Sequence, residues 1–334
     1  MFYGHGDDIH KYPDIRINFS SNVYNHFNQE GLKKHLMKHI GKISNYPEPL
    51  PTSLEKALAK DMDLKTAQVM VTNGATEAIY LIAQSFYGCN SIVLEPTFSE
   101  YADACLCHRH KVTLLHQMPT STHYFDLCWI CNPNNPTGIV VAKESLVNLI
   151  NSNRGIIFVI DASYAPFTDQ PVFSPQEAAK MKNVIMLHSM TKTFAIPGLR
   201  LGYAIANKKL LEKISTLRMP WSVNALAIEA GLYLLQHKEE YTIDIKHIIE
   251  ERKRVAERLN STGIVTVEPS DTHILLCKIK RGTATRLKEF LATHHKILIR
   301  DASNFNGLTN KHFRIAIQTP EENDKLIYAI SQWG

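Results

Sequence analysis

Short apolar runs alternate with amphipathic stretches from about Ala67 to Ala206. The apolar runs have the length of strands, and the amphipathic stretches are typical of helices. The runs predict seven strands: Val69–Thr72, Ser91–Glu95, Val112–His116, Leu127–Cys131, Ile156–Asp161, Val184–Ser189 and Gly202–Ala206. Alternating strand and helix signals predict an α/β fold with a largely parallel sheet and helices on both of its faces.

The pattern changes after this region. A long helical region is predicted from Asn224 to Leu259. The predicted elements that follow are strands at Ile264–Glu268 and His273–Lys278, a helix at Ala284–Thr293, strands at Ile297–Asp301 and Arg314–Ile317, and a helix at Glu321–Gln332. This order indicates a smaller α/β domain that the N-terminal segment joins. We therefore expect a large domain at residues 40–225 and a small domain made of residues 1–39 and 226–334.

Lys192 lies in the segment Ser189–Tyr203, where small hydroxyl residues precede a Gly-Leu-Arg-x-Gly-Tyr sequence. Ser189, Thr191 and Arg200 offer hydroxyl donors and a planar cation to a phosphate. The cation also favours the neutral form of a nearby amine, which is the nucleophilic form. The segment therefore predicts a Schiff-base lysine beside a bound phosphate. A surface lysine between two elements is the alternative that this segment alone leaves open.

Three other segments place polar groups where predicted strands end. Asn132–Gly138 follows a buried strand, so its side-chain amides would lie at the edge where open α/β sheets bind ligands. Asp161 ends another buried run, where a carboxylate needs a partner such as a pyridinium nitrogen. Val69–Ile79 is typical of a strand, a glycine turn and a helix, whose N-terminus with Thr76 would bind an anion. Taken singly, these segments also suit a plain turn, a helix N-cap and an ordinary strand-to-helix connection.

Composition sets bounds on the function. The chain has 334 residues, 44% of them hydrophobic, which is ample material for a core. Its net charge is +5, and basic residues are mixed with acidic ones, so we predict no nucleic-acid partner. The small positive excess suits a phosphorylated substrate. The chain shows neither a charged-then-apolar leader nor a long apolar run, so no signal peptide and no membrane span are predicted.

Cysteine and histidine usage adds no further site. Cys128 and Cys131 match a redox motif in spacing, but they lie within a predicted buried strand, so we interpret them as core residues. No second closely spaced Cys/His set completes a zinc site, and no metal is predicted. The sixteen histidines are scattered and receive no function. A reducing cytoplasm is the expected compartment.

Together the four segments resemble the pyridoxal-phosphate (PLP) enzymes of aspartate-aminotransferase fold, fold type I, in their class I/II branch. Their order and spacing match, and the resemblance covers nearly the whole chain. It implies PLP as the cofactor and an enzyme rather than a binding protein. It also implies a large domain with a mostly parallel, seven-stranded sheet flanked by helices, and a smaller α/β domain beside it.

The resemblance assigns roles around the cofactor ring. By that assignment, Lys192 forms the Schiff base and Asp161 pairs with the pyridine nitrogen. Asn135 and Tyr164 would bond the ring oxygen O3′, and Phe98, in the segment from residue 96 to residue 101, would stack on the ring. Lys192, Asp161 and Tyr164 are the implied catalytic residues.

The resemblance also assigns a phosphate site and a subunit arrangement. Ala75, Thr76, Ser189 and Arg200 would hold the cofactor phosphate. Tyr46, followed by a proline, would reach the phosphate of the cofactor in a partner subunit. The implied protein is therefore a homodimer with composite active sites.

The substrate contacts implied by the family are spread along the chain. Arg314 would bind the substrate α-carboxylate. Arg300, His5 and Asn22 would complete the substrate pocket. These contacts set the torsion angle that decides which bond to the α-carbon breaks, and the sequence does not reveal that angle.

Two stretches narrow the choice within the family. The N-terminal segment from residue 4 to residue 9 and the stretch Arg218–Ala227 resemble the threonine-phosphate decarboxylases of cobalamin synthesis. Ile297–Arg300, with Asn304 and the Gly-Leu pair at residues 307–308, also fits them. Asp7-Asp8 departs from the Gly-Asn pair that this group tends to have in the N-terminal loop. We therefore expect decarboxylation of O-phospho-L-threonine to (R)-1-aminopropan-2-yl phosphate.

Two alternatives remain. Histidinol-phosphate aminotransferases share Tyr46, Arg300 and Arg314 in equivalent motifs, but their N-terminal Asn-x-Asn-Glu pattern is not met, because Val23 follows Asn22. A catalytically silent PLP-binding regulator would carry a DNA-binding domain before this fold. The roughly forty residues before Tyr46 are too few for such a domain, so we expect an enzyme.

Overall fold

The computed structural model describes residues 8–24, 26–119 and 124–333 of the chain. The described strands are β1 (Ile17–Asn18), β2 (Val69–Asn73), β3 (Asn90–Leu94), β4 (Lys111–Leu115), β5 (Leu127–Cys131), β6 (Ile157–Asp161), β7 (Val184–Ser189), β8 (Leu201–Ala206), β9 (Val265–Val267), β10 (Ile274–Ile279), β11 (Ile297–Leu298), β12 (Arg300–Asp301) and β13 (His312–Ala316). The described α-helices are α1 (Glu30–Lys38), α2 (Thr52–Asp61), α3 (Gly74–Ser85), α4 (Glu100–Cys107), α5 (Lys143–Ser152), α6 (Pro175–Lys180), α7 (Met190–Thr193), α8 (Lys208–Ser215), α9 (Ala225–Gln236), α10 (Ile245–Ser261), α11 (Ala284–Phe290) and α12 (Pro320–Ser331).

The largest sheet has seven strands in the order β2-β8-β7-β6-β5-β3-β4. Strand β8 runs antiparallel to both of its neighbours, and the other pairs are parallel. The predicted seven-stranded, mostly parallel sheet is confirmed. Because β8 alone is reversed, the carboxyl ends of β2, β3, β5, β6 and β7 lie at one edge of the sheet, together with the start of β8.

Helices cover both faces of this sheet, because its strands are apolar on both sides. One face packs against α3, α4 and α8, and the other packs against α5 and α6. Strand β5 is buried throughout, and its side chains contribute to both faces of the sheet. Cys131 packs in the apolar cluster with α3, α4 and α8, whereas Cys128 packs in the cluster with α5 and α6. Both cysteines are free thiols on opposite faces of one strand, as expected for core residues.

A second sheet, antiparallel, has the order β12-β13-β10-β9, and β1 pairs separately with β11. Helices α10, α11 and α12 pack with these strands around another apolar core. The predicted strand Ile297–Asp301 is divided in the structure. Ile297 and Leu298 pair with β1, whereas Arg300 and Asp301 pair with β13, so the chain changes partner at Ile299.

The long helical region predicted from Asn224 to Leu259 is also divided. It forms α9 and α10 with a 3₁₀ turn, Lys238–Tyr241, between them. Tyr241 is buried there, and Asp244 caps α10 by accepting a hydrogen bond from the His247 N–H at 3.0 Å. The predicted helical region is therefore helical but interrupted at this turn, where a buried ring and a cap outweigh continuous helical periodicity.

Helix α9 packs with α1, α2 and β2 in an apolar cluster that includes Leu32, Leu54, Val71 and Leu234. This packing joins α1 and α9 to the side of the large sheet. The division into two domains stays a proposal, and the packing favours a boundary after α9 rather than before it. Among the described helices, none combines the length and apolar character that crossing a membrane requires.

Candidate active site

A cavity of about 500 Å³ lies at the edge of the large sheet where the parallel strands end. That volume is within the usual range of small-molecule sites. The predicted site residues that line it are Asn22, Ala75, Thr76, Phe98, Asn135, Asp161, Tyr164, Ser189, Lys192, Arg200, Arg300 and Arg314. Each of the four sequence segments contributes, because each follows a strand whose carboxyl end is at this edge, or precedes β8, which starts there.

Asp161 is the last residue of β6, and the residue is 6% exposed. One oxygen accepts a hydrogen bond from the Tyr101 hydroxyl at 2.7 Å. The other accepts hydrogen bonds from the Ser163 hydroxyl at 2.5 Å and the Ser163 N–H at 3.0 Å. These donors hold the carboxylate in one orientation inside the cavity, which is what pairing with a ring nitrogen requires.

The sequence analysis missed Tyr101 as a partner of Asp161. Its ring is fully buried, stacks on Trp129 at 5.5 Å and meets Phe98 edge to face at 5.8 Å. Burial, followed by the neighbouring carboxylate, raises the pKa of Tyr101 well above its ordinary value, so the hydroxyl remains a donor. Tyr101 follows Phe98 by three residues, a spacing that places side chains on one face of a helix. This spacing could have indicated that Tyr101 also lies at the site.

Lys192 lies in the short helix α7, directly after β7. Its Nζ donates a hydrogen bond to the Asn22 side-chain oxygen at 2.6 Å, and the Asn22 amide donates to the Tyr164 hydroxyl. Burial raises the pKa of Tyr164 above its ordinary value, against the lowering effect of Arg314. The structure thus joins three predicted residues that are far apart in sequence.

The N-terminus of α3 and Arg200 form one corner of the cavity. Gly74 has a φ of +75°, and a Cβ there would lie 2.7 Å from a guanidinium nitrogen of Arg200. A Cβ on Gly202 would lie 2.5 Å from the Ala75 N–H nitrogen. The two glycines therefore let the guanidinium and the first amides of α3 converge. Free amides at a helix start, next to a guanidinium, bind phosphate.

Arg300 and Arg314 reach the cavity from the second sheet. They are directly opposite each other in the pairing of β12 with β13, and they are 8% and 3% exposed. Arg300 donates to the Asn304 side-chain oxygen at 2.9 Å and lies over the Phe305 ring. Arg314 donates to the Asn135 side-chain oxygen at 2.7 Å and to a backbone carbonyl in the loop after β1. Burial lowers the pKa of Arg300 below its ordinary value.

Two predicted residues are not in this group. Tyr46 is 84% exposed and does not line the cavity; its ring lies 5.1 Å from the ring of Trp221. His5 lies outside the described residues. Neither observation tests the roles that the family resemblance implies for them.

Two histidines lie beside residues that line the cavity: His188 is half-buried and precedes Ser189, whereas His273 is buried and contacts Asn22. His188, on β7, stacks on Tyr203 at 5.0 Å. His273, just before β10, stacks on Phe167 at 4.0 Å, and its Nε2 is 3.3 Å from the backbone oxygen of Asn22. Burial lowers the pKa of His188 to about 4 and that of His273 to about 3. Both rings are therefore neutral near pH 7.

The residues present fit the cofactor that the family resemblance implies. Arg200 and the start of α3 suit its phosphate, the fixed carboxylate of Asp161 suits its ring nitrogen, and Lys192 suits its aldehyde. In addition, within the described residues the buried hydroxyl oxygen of Thr191 has no hydrogen-bond partner, and this residue lines the same cavity. A buried hydroxyl in that position is explained by a bound polar group.

Comparison with known proteins gives a consistent result. A family model described as aminotransferase class I and II matches residues 14–330. The solved structure of L-threonine-O-3-phosphate decarboxylase from Porphyromonas gingivalis superimposes with a TM-score of 0.93 at 37% identity, covering 95% of this chain and 99% of that one.

Two curated proteins are similar over most of their length. The threonine-phosphate decarboxylase of Salmonella typhimurium is 27% identical and covers 95% of this chain and 91% of its own. The histidinol-phosphate aminotransferase of Caldanaerobacter subterraneus is 28% identical and covers 90% of this chain and 89% of its own. The two kinds of enzyme are therefore nearly equal in sequence similarity.

Proposed function

The chain belongs to the class I and II aminotransferase family, whose members are PLP-dependent enzymes, and from that premise we propose that it decarboxylates O-phospho-L-threonine. The product would be (R)-1-aminopropan-2-yl phosphate, and the reaction would belong to cobalamin biosynthesis. The substrate is a small molecule that carries an amine, a carboxylate and a phosphate.

The observation that carries this proposal is the pairing of Arg300 with Arg314. Like charges directly opposite each other on neighbouring strands destabilise a sheet, and burial adds a desolvation penalty. Two buried guanidinium groups on neighbouring strands suit a ligand with more than one negative charge. O-phospho-L-threonine offers a phosphate and a carboxylate on one short molecule, and Arg–phosphate and Arg–carboxylate bonds are among the strongest in proteins.

The remaining site residues would divide the work around the cofactor. Bound PLP draws electrons out of the bonds to the substrate α-carbon. Asp161 would hold a proton on the ring nitrogen, and Tyr101 and Ser163 orient its carboxylate for that role. Arg314 would hold the carboxylate of the substrate, and Lys192 is the group in the cavity suited to carry a proton to the α-carbon.

Asn22 is suited to hold the side chains of Lys192 and Tyr164 in a fixed relative position. Its side-chain oxygen accepts from the lysine, and its amide donates to the tyrosine hydroxyl. His273 contacts the backbone of the same residue, so the loop after β1 is held from two sides. These contacts bear on the torsion about the α-carbon, and hence on which bond breaks.

Histidinol-phosphate aminotransferase is the second candidate. It is favoured by the near-equal similarity of such an enzyme and by the fact that its amino donor, glutamate, also has two negative groups. The 37% identity to a solved threonine-phosphate decarboxylase over almost the whole chain supports the first candidate.

One mixing experiment tests the choice. The holoenzyme is given O-phospho-L-threonine without any 2-oxo acid, and CO₂ and the cofactor absorbance are followed. We expect multiple turnovers of CO₂ and no accumulation of pyridoxamine phosphate. If instead histidinol phosphate converts the cofactor to pyridoxamine phosphate and 2-oxoglutarate restores it, the aminotransferase assignment is correct.

The homodimer is part of this proposal. Tyr46 is almost fully exposed beside Trp221, and Met219 and Leu50 nearby are exposed as well. This position suits a tyrosine that serves the cofactor of a partner subunit. We expect a dimer by sedimentation and a modest loss of PLP retention in Tyr46→Phe, because one hydrogen bond to a charged group contributes about 1.5–3 kcal/mol. A fully active monomer would contradict it. The cytoplasmic location likewise stays a prediction.

A further inference from the structure

Helices α1 and α9 bring two imidazoles and a carboxylate together far from the cavity. His35 and His39 are one turn apart on α1, and their ring centroids are 4.2 Å apart. Nε2 of His35 lies 3.4 Å from Oε2 of Glu229, and Nε2 of His39 lies 3.7 Å from the same oxygen. Glu229 belongs to α9 and is buried, and no member of this trio lines the cavity.

The hydrogen bonds fix the tautomer of His39. Its Nδ1 lies 2.8 Å from the backbone carbonyl oxygen of His35. A carbonyl oxygen only accepts, so Nδ1 carries the proton, and Nε2 of the neutral ring presents a lone pair towards Glu229. A metal-binding histidine has this arrangement, in which the second ring nitrogen donates to a carbonyl and the first is free to coordinate.

His35 adds a second ring nitrogen at the same point. Within the described residues, its buried Nε2 makes no hydrogen bond, although it faces the Glu229 carboxylate. The Nε2 atoms of His35 and His39 and the Oε2 atom of Glu229 therefore meet at one place, where a single cation can be shared by all three.

The spacing suits a tetrahedral transition metal. Two ligand atoms that are each about 2.1 Å from such an ion are about 3.4 Å apart. The nitrogen-to-oxygen distances here are 3.4 and 3.7 Å, and all three ligand atoms lie within 4.8 Å of one another. We propose that His35, His39 and Glu229 form a binding site for a divalent transition-metal ion of the zinc type, with water as the fourth ligand.

Lys42 is the feature that competes with the ion. Its Nζ donates to Oε1 of Glu229 at 2.5 Å, which leaves Oε2 for the metal but places a positive charge beside it. If the trio is a site for an ion, removing this charge strengthens metal binding. If the trio is only a set of ion pairs, removing the lysine has no such effect.

The test uses full-length holoenzyme without an affinity tag, freed of metal with a chelator. Zn²⁺ is titrated by calorimetry, and Co²⁺ is added separately to record the visible spectrum of a tetrahedral complex. We expect one tight site per chain, at least tenfold weaker in His35→Ala and in His39→Gln. Lys42→Ala should bind Zn²⁺ several-fold more tightly. Thermal unfolding should shift upward with Zn²⁺ in the wild type and not in His39→Gln.

The matched control is His247→Ala, which removes an exposed histidine from α10. It should bind Zn²⁺ like the wild type. Equal affinity in the wild type, His35→Ala and His39→Gln would overturn the proposal, as would equal or weaker binding in Lys42→Ala. Circular dichroism of each variant separates loss of the site from loss of the fold. Because the trio lies outside the cavity, this result is independent of the substrate.

Discussion

The cavity has two sides with different origins. Its floor, which we define as Asp161, Ser189, Lys192 and Arg200, lies at the edge of the large parallel sheet. Its wall, defined as Arg300 and Arg314, comes from the small antiparallel sheet. The floor residues follow or precede strands in short motifs, whereas each wall residue is a single arginine within a strand of the second sheet.

This difference separates two tasks. The floor carries groups that suit a phosphate, a ring nitrogen and an aldehyde, which are parts of the cofactor that the whole family uses. The wall carries two buried cations that suit the charges of a particular substrate. Changes in the floor should therefore affect every reaction of the enzyme, and changes in the wall should affect the choice and affinity of substrate.

The largest effect is expected from Lys192→Ala. The variant should lose the adduct that borohydride traps between PLP and the protein, together with about 10²–10⁴-fold or more of turnover, because nucleophile and proton carrier are both removed. Mass spectrometry after reduction checks the adduct, with Lys182→Ala as the control. A trapped adduct at wild-type stoichiometry in Lys192→Ala would show that another lysine holds the cofactor.

Asp161→Asn separates binding from chemistry within the floor. An amide cannot hold the ring nitrogen protonated as a carboxylate does, so turnover should fall by about 10²-fold or more. The adduct with Lys192 should remain. Absorbance of bound PLP and steady-state rates measure the two effects, and Asp169→Asn, at an exposed position, is the control. Normal turnover in Asp161→Asn would remove the carboxylate from the mechanism.

The wall should respond differently. In Arg300→Gln and Arg314→Gln, we expect the PLP absorbance to be unchanged and KM for O-phospho-L-threonine to rise about 10–150-fold, the equivalent of about 1.5–3 kcal/mol for one charged hydrogen bond. Arg286→Gln, on the exposed side of α11, should leave KM unchanged. Loss of PLP from either wall variant would contradict the division into floor and wall.

The smallest effect concerns acid stability. His188 directly precedes the floor residue Ser189, and His273 contacts the backbone oxygen of Asn22; both have lowered pKa values in the folded protein. Between pH 6.5 and those values the unfolded chain binds more protons, so stability is lost as the pH falls, by at most about 1.4 kcal/mol per pH unit for each ring. The window reaches about pH 4 for His188 and about pH 3 for His273.

Urea unfolding from pH 7 to pH 4 measures this effect. His188→Gln and His273→Gln should each be less stable than the wild type at pH 7 but should lose less stability on acidification. His247→Gln, exposed on α10, should follow the wild-type slope. Parallel slopes for all four proteins would mean that neither ring stays neutral.

Much of the fold and the residues of the floor could be predicted because each is indicated by a short, continuous stretch of sequence. A buried strand, a turn and the following polar residue are contiguous, and a parallel sheet brings the carboxyl ends of its strands to one edge. The seven strands, and the sheet edge at which the cavity lies, were therefore predictable from the apolar runs. The break at Tyr241 was not, because it depends on a cap and on a buried ring.

The sequence alone determined the fold class, the cofactor family and the residues of the floor. Only the tertiary structure decided that Tyr101 bonds Asp161, that Arg300 lies opposite Arg314, and that Glu229 faces the histidines of α1. Sheet register and helix packing set these contacts. They result from burial of apolar surface over the whole chain, and no short segment encodes them.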